Sequence, residues 1–205
     1  MVVCVVCLGV AACGRNEAQG EPVGSAAVSG DDIAREQARF DTERRPEKVV
    51  EALAIGPGSR VADIGAGSGL ITVHLARAVA PNGRVVATDI DGTVLDLLSQ
   101  RLKSVGLDGV VDRRVVGAET PGLEDGTYDA ILLAEVDHYF ADPVAWMRSA
   151  ALALKPGGRL VISNRIYHHA QTMAAARKAG LVLKTESTPV PTHFIAIFVA
   201  GDLKK

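Results

Sequence analysis

The sequence predicts a doubly wound α/β domain with a mostly parallel sheet and an antiparallel last strand. Three observations carry this. Short apolar runs alternate with helical segments of about ten residues or more, which imposes parallel pairing through right-handed crossovers. A loop with glycines at alternate positions, Gly65, Gly67 and Gly69, joins the first of these runs to a helix. The last two runs are linked through Pro189 and Pro191 with no helix between them, which makes them antiparallel neighbours. A chain of 205 residues, 48% of them hydrophobic, fits one such domain. At that size about 70% of the unfolded surface is buried, so no staple is needed.

In chain order, residues 31–42 form a charged helical arm with Ile33 and Phe40 as its apolar anchors. Pro46 and Glu47 open a helix that continues through Val49 to Ala54 and stops at Gly56-Pro57-Gly58. Proline suits a first turn and an acid favours its positive end. A strand at 60–64, a helix at 69–79, a Pro81-Asn82-Gly83 turn, a strand at 84–89 and a helix at 93–104 follow. Next come a strand at 110–116, a loop at 117–126, a strand at 128–134 and a helix at 143–153. The turn Lys155-Pro156-Gly157-Gly158, a strand at 159–163, a helix at 169–179 and strands at 181–186 and 193–199 complete the pattern. No internal repeat interrupts it.

Net charge is −2, with Lys and Arg scattered among acids, so there is no electrostatic footprint for nucleic acid. The three cysteines, Cys4, Cys7 and Cys13, fall within the first 13 residues and leave the body without a disulfide framework, thiol nucleophile or metal cluster. Residues 2–12 are an almost unbroken apolar run, too short to span a bilayer and of the length of a secretory h-region. The run ends in Val10-Ala11-Ala12-Cys13, which resembles a bacterial lipobox. That resemblance implies a leader at 1–13 with Cys13 lipidated, a polar tether at 14–30, and a domain at 31–205 held at the cell envelope. No Lys or Arg precedes the run, so an apolar leader on a cytoplasmic protein is the alternative.

The glycine loop carries the chemistry. Its glycines let the backbone turn sharply and approach a ligand, and the following helix offers free N–H groups to an anionic or polar end. A dinucleotide fingerprint needs Gly-x-Gly-x-x-Gly, but the sixth position here is Leu70. The loop is Gly-x-Gly-x-Gly with Asp63 two residues before it, and Asp89 ends the next strand 20 residues after Gly69. An acid at that strand tip is placed to accept from a ribose diol.

From Arg44 onward the chain resembles the class I S-adenosylmethionine-dependent methyltransferases. The matching pieces are Pro46 to Ile55, Val61 to Gly69, Arg84 to Asp91, Asp125 to Asp129, Leu133 to Pro143, Leu154 to Leu160 and His193 to Val199. Glu135 to Pro143 is similar to a subgroup with an acid-x-x-His-His-Phe-x-x-Pro stretch after the fourth strand. The resemblance implies a Rossmann-like methyltransferase fold with S-adenosylmethionine as cofactor. It places Asp63 and the backbone of Gly65, Ala66, Gly67 and Gly69 on the methionine part, Asp89 on the ribose and Ile90 on the adenine face. Ala118 and Glu119 would edge the adenine. The family often has an Asp where Gly117 stands, so either Glu119 reaches the adenine amino group or a backbone contact replaces it. Carbonyls near Ala134 and Glu135 would face the cofactor amino group.

A sulfonium methyl is already electrophilic, so a base is needed only when the acceptor must lose a proton. His138 is the candidate base because its ordinary pKa lies near neutrality; the alternative is that it packs or caps the helix start at Asp142-Pro143. His168 and His169 are adjacent, cannot face one another on a helix, and read as a loop or helix-start feature with no metal implied. Three functions remain open. The first is a methyltransferase acting on a small-molecule or lipid-like acceptor. The second is a catalytically inactive cofactor-binding envelope lipoprotein that serves as an interaction module. The third, a nicotinamide-dependent oxidoreductase, is opposed by the loop spacing.

Overall fold

The computed structural model describes residues 29–201. The expectations placed on Cys4, Cys7, Cys13 and nearly all of the tether lie outside the described residues. Seven strands, β1 (Arg60–Ile64), β2 (Arg84–Asp89), β3 (Val111–Val115), β4 (Tyr128–Ala134), β5 (Leu154–Arg165), β6 (Leu181–Val190) and β7 (His193–Ala200), form one sheet. Their order is β3-β2-β1-β4-β5-β7-β6. The first five pair in parallel, and β7 lies antiparallel between β5 and β6. The expected doubly wound fold is the one observed. Val61 to Ile64 and Ala130 to Leu133 are buried, as central strands covered on both faces must be.

The described residues form six α-helices: α1 (Gly30–Arg44), α2 (Pro46–Leu53), α3 (Thr72–Val79), α4 (Gly92–Ser104), α5 (Pro143–Ala153) and α6 (His169–Lys178). Leu75, Leu98 and Leu102 build the core on one side, and Trp146, Met147 and Phe194 on the other. The arm starts one residue early, where Ser29 caps α1 by accepting from the Asp32 N–H at 3.1 Å, and runs two residues past its expected end, to Arg44. Conversely, α3 starts three residues late, after a turn at 70–71. The Lys-Pro-Gly-Gly segment is an irregularity inside β5 and not a turn ahead of it. Tyr128 pairs with Leu154 and Ala130 with Arg159, so residues 155–158 are set out of register. Lys155 Nζ, 2.8 Å from Asp129, ties that irregularity to β4. β6 runs through Pro189 to Val190 with register slips after Leu183 and after Ser187, and it forms an exposed edge.

Helix α1 buries none of its residues. Phe40, partly buried, packs against the core, and polar contacts seat the rest of the helix. Arg101 of α4, only 3% exposed, donates to the carbonyls of Ser68 (2.9 Å) and Ile33 (3.2 Å) and to Gln37, and pairs with Glu36. One buried guanidinium thereby joins α1 to the glycine loop. His74 of α3, with Nε2 2.7 Å from Asp41, adds a second attachment.

Candidate active site

The carboxyl ends of β1, β2 and β4 open into two cavities that share a wall. The first, about 280 Å³, has Asp89, Ile90, Gly117 and Ala118 on one side and Val136, Tyr139, Phe140 and Trp146 on the other. The second, about 170 Å³, lies under α1 and is lined by Arg44, Phe40, Ala66, Gly67, Ser68 and Ala134, among others. Gly65 and Glu135 line both. They mark the junction.

The loop between the cavities needs glycine for two separate reasons. At Gly65, φ is +67° and a Cβ would lie 2.7 Å from Val136 Cγ2, so the residue lets the segment after β4 approach. At Gly69, φ is +86° and a Cβ would meet Leu98 Cγ at 2.7 Å, so this glycine seats the loop on α4 and is not on either wall. Asp89 fixes the loop from the other side. Its Oδ2 accepts from the Gly67 N–H at 2.9 Å and its Oδ1 from the Asp91 N–H at 3.1 Å. A carboxylate offers about four acceptor sites, so each oxygen keeps capacity for a hydroxyl.

Asp63 is fully buried and belongs to neither wall. Its Oδ2 accepts from Thr72 Oγ1 at 2.6 Å, while Oδ1 has no partner. Burial pushes its carboxyl up to about 6; the Thr72 hydroxyl opposes that shift and the nearby Asp89 charge adds to it. Asp63 therefore stands behind the glycine loop, bracing it against α3. Ile90, 65% exposed, and Ala118 line the first cavity, and Ala134 the second. Glu119 does not reach the wall. Its Oε1 accepts from the Ala141 N–H at 3.0 Å, and the wall there is formed by Gly117, Ala118 and Thr120.

Glu135 contributes its side chain as well as its carbonyl. The residue has φ +55°, a conformation unusual outside glycine and concentrated at functional sites. Its N–H donates to the Ser163 carbonyl at 2.8 Å. Its carboxylate pairs with Arg44 of α1 and with Arg165 at 3.1 Å. Burial alone would raise its pKa, but the Arg44 and Arg165 charges hold it below the usual range. His193 Nε2 lies 3.4 Å from the same carboxylate, yet this nitrogen makes no hydrogen bond because the contact is misaligned. Burial first, and then Arg44, lower the His193 pKa, so this ring is neutral near pH 7.

His138 occupies neither of the positions expected of it. It is absent from both cavity walls. Its ring stacks on His168 at 4.1 Å, and its Nδ1 is 3.1 Å from Asn164 Nδ2. Burial and the neighbouring His168 lower its pKa. The helix start is capped by Asp142, which accepts from the Ala145 N–H at 2.9 Å. His169 opens α6 and pairs with Glu186 at 2.9 Å.

Sequence reasoning missed Arg44, Trp146 and His193. Trp146 is 3% exposed, lines the first cavity, stacks on Phe140 at 4.4 Å, and has a buried indole N–H without a partner. Thr88 Oγ1, also on that wall, and Arg44 Nε are likewise buried without partners. Buried polar atoms are nearly always satisfied. Three residues lining the adjacent cavities carry unsatisfied ones, and the spare acceptor capacity of Asp89 beside a loop shaped for close backbone approach fits a polar ligand such as a nucleoside carrying an amino-acid tail.

Residues 62–160 match the family model described as a methyltransferase domain. Over 113 residues, 55% of this chain, the sequence is 30% identical to the ubiquinone/menaquinone biosynthesis C-methyltransferase of Cronobacter sakazakii. It is 31% identical over the same length to the enzyme of that name from an Enterobacter species. The match covers 45% of each of those proteins, so the chain spans less than half the length of the curated relatives. A SAM-dependent methyltransferase from Aquifex aeolicus superposes with a TM-score of 0.73 at 20% identity, covering 82% of this chain and 96% of that one. The geranyl diphosphate C-methyltransferase of Streptomyces coelicolor, solved with Mg2+, geranyl diphosphate and S-adenosyl-L-homocysteine, gives 0.66 at 17% identity, covering 88% and 86%. At these identities the structural likeness is one of fold.

Proposed function

We propose that this chain, whose residues 62–160 match the methyltransferase-domain family model, is an S-adenosylmethionine-dependent methyltransferase acting on a small-molecule or lipid-like acceptor. The observation that carries the reading is the junction at Gly65 and Glu135. It joins a cavity holding a strand-tip acid to one formed by a glycine loop. When bound, the cofactor supplies a methyl group made electrophilic by its sulfonium. Asp89 accepts from the ribose hydroxyls with the capacity its two backbone contacts leave free. Ile90 and Val136 cover the purine, and Gly117 and Ala118 present backbone to its edge. Fixing two reactants in this way contributes up to about 7–11 kcal/mol in the best intramolecular cases. Glu135, held ionised by two arginines, orients charge at the junction and is a weak proton acceptor. Relatives named for ubiquinone/menaquinone biosynthesis and geranyl diphosphate support the acceptor class, as does Tyr139, exposed at the cavity.

Calorimetry of the full chain against S-adenosylmethionine, S-adenosylhomocysteine and NAD tests the cofactor, with heat expected from the first two alone. Mass spectrometry of cell extract treated with labelled cofactor then identifies the acceptor. Binding without transfer to any component would favour the interaction-module reading. We propose further that the domain is attached to the envelope through Cys13, on the strength of the apolar run and Val10-Ala11-Ala12-Cys13. Several acyl chains anchor firmly where one binds only reversibly. Cys13→Ser should release the protein from the membrane fraction and abolish labelled palmitate incorporation. A soluble wild-type protein with Met1 intact would favour the cytoplasmic alternative.

A further inference from the structure

We infer that Arg44, at the end of α1, is the residue that binds the α-carboxylate of the cofactor's amino-acid end, so that α1 is docked in part by the ligand itself. The inference rests on the cofactor reading above. With Asp89 holding the ribose in the first cavity, the amino-acid end extends past Gly65 and Glu135 into the second. Arg44 is the single cationic side chain on the second cavity's wall. Its guanidinium carries five donors, one of which goes to Glu135 while Nε is buried with no partner.

The charge balance agrees. Arg44 and Arg165 face one ionised carboxylate, Glu135, and His193 is held neutral by its burial and by Arg44. Arg165 is about half exposed and shares Glu135 from outside both cavities, so part of the Arg44 charge facing the second cavity is left uncompensated, the complement of an incoming carboxylate. Helix α1 has no buried residue of its own. It is held by Phe40 packed against the core, by Gln37 on the Leu70 carbonyl, by Arg101, by the His74–Asp41 contact and by Arg44–Glu135. A carboxylate on Arg44 adds a further attachment, and this one is present only with ligand.

Calorimetry of the full chain with S-adenosylmethionine and with its decarboxylated form, which lacks only the α-carboxylate, reads the contact. The wild type should prefer the intact cofactor by about 10- to 150-fold, the range of a charge-assisted hydrogen bond. In Arg44→Gln that preference should collapse, while affinity for the decarboxylated form stays near wild type. Arg44→Lys, which keeps the charge without the fork, should restore part of it. Hydrogen exchange across residues 30–44 should slow with the intact cofactor and not with the decarboxylated one. A preference that survives in Arg44→Gln, or is absent from the wild type, would overturn the inference while leaving the cofactor reading intact. Failure of the wild type to bind either compound would overturn the cofactor reading, and this inference with it.

Discussion

Replacing Asp63 by Asn removes a charge that the fold holds at a cost. The carboxyl is fully buried, its Oδ1 is unpartnered, and its pKa is about 6 against an ordinary 3.8. A group whose folded pKa is raised stabilises the fold below the unfolded value, and that contribution is lost as pH rises through the folded value. The window here runs from 3.8 to about 6. The gap of about 2.2, at ~1.36 kcal/mol per pH unit, corresponds to about 3 kcal/mol. Asparagine keeps an acceptor for Thr72 Oγ1 and has nothing to ionise. Urea unfolding of both proteins from about pH 4 to pH 8 measures the difference directly. Stability relative to wild type should rise across the window and level off above it, with Asp63→Asn the more stable protein by up to that amount. A difference between the two that stays constant with pH would show that Asp63 is not held protonated by burial, and would refute the placement of its carboxylate behind the loop.

Three other outcomes are expected. Asp89→Asn retains one acceptor for the Gly67 N–H but loses the charge, and should weaken cofactor binding about 10- to 150-fold; an unchanged dissociation constant by calorimetry would remove Asp89 from the ribose. Gly65→Ala forces a Cβ to within 2.7 Å of Val136 at φ +67° and should cost about 1–3 kcal/mol. Adding Val136→Ala should recover the steric part, read as a partial return of melting temperature. His138→Gln should leave methyl transfer near wild type once an acceptor is known, because the ring is away from both cavities; a fall of about 10²–10⁴-fold would reinstate it as the base.

The parts of the fold legible in the sequence were those governed by short-range rules. β1, β2, β4 and α5 have the expected boundaries because apolar runs, glycine turns and a Pro143 helix start all act within a few residues. β5 was misread because Lys155-Pro156-Gly157-Gly158 has turn composition; its place in the strand depends on Asp129 and β4. The site divides in the same way. Asp89 and the glycine loop announce themselves by spacing. Arg44, His193 and Trp146 come from α1, β7 and α5, and only the closed fold brings them to the cavities or to Glu135. His138 and Glu119 show the reverse. Each has the right chemistry near the right strand tip, yet tertiary partners, His168 and the Ala141 N–H, turn them elsewhere.

The irregular pairing of β6 has a consequence beyond the site. The outer strand of a sheet presents unpaired backbone groups to any other chain that can align with it. Here the slip after Leu183 leaves Lys184 out of register with β7, and the slip after Ser187 falls on Thr188 and Pro189. A charged bulge and a proline, which has no N–H to donate, break the ten-residue edge into short lengths. Val182 and Leu183 can therefore stay exposed without templating the growth of a fibre. Straightening the strand, by removing Lys184 and replacing Pro189 with valine, would turn this edge into a surface on which copies of the chain could polymerise.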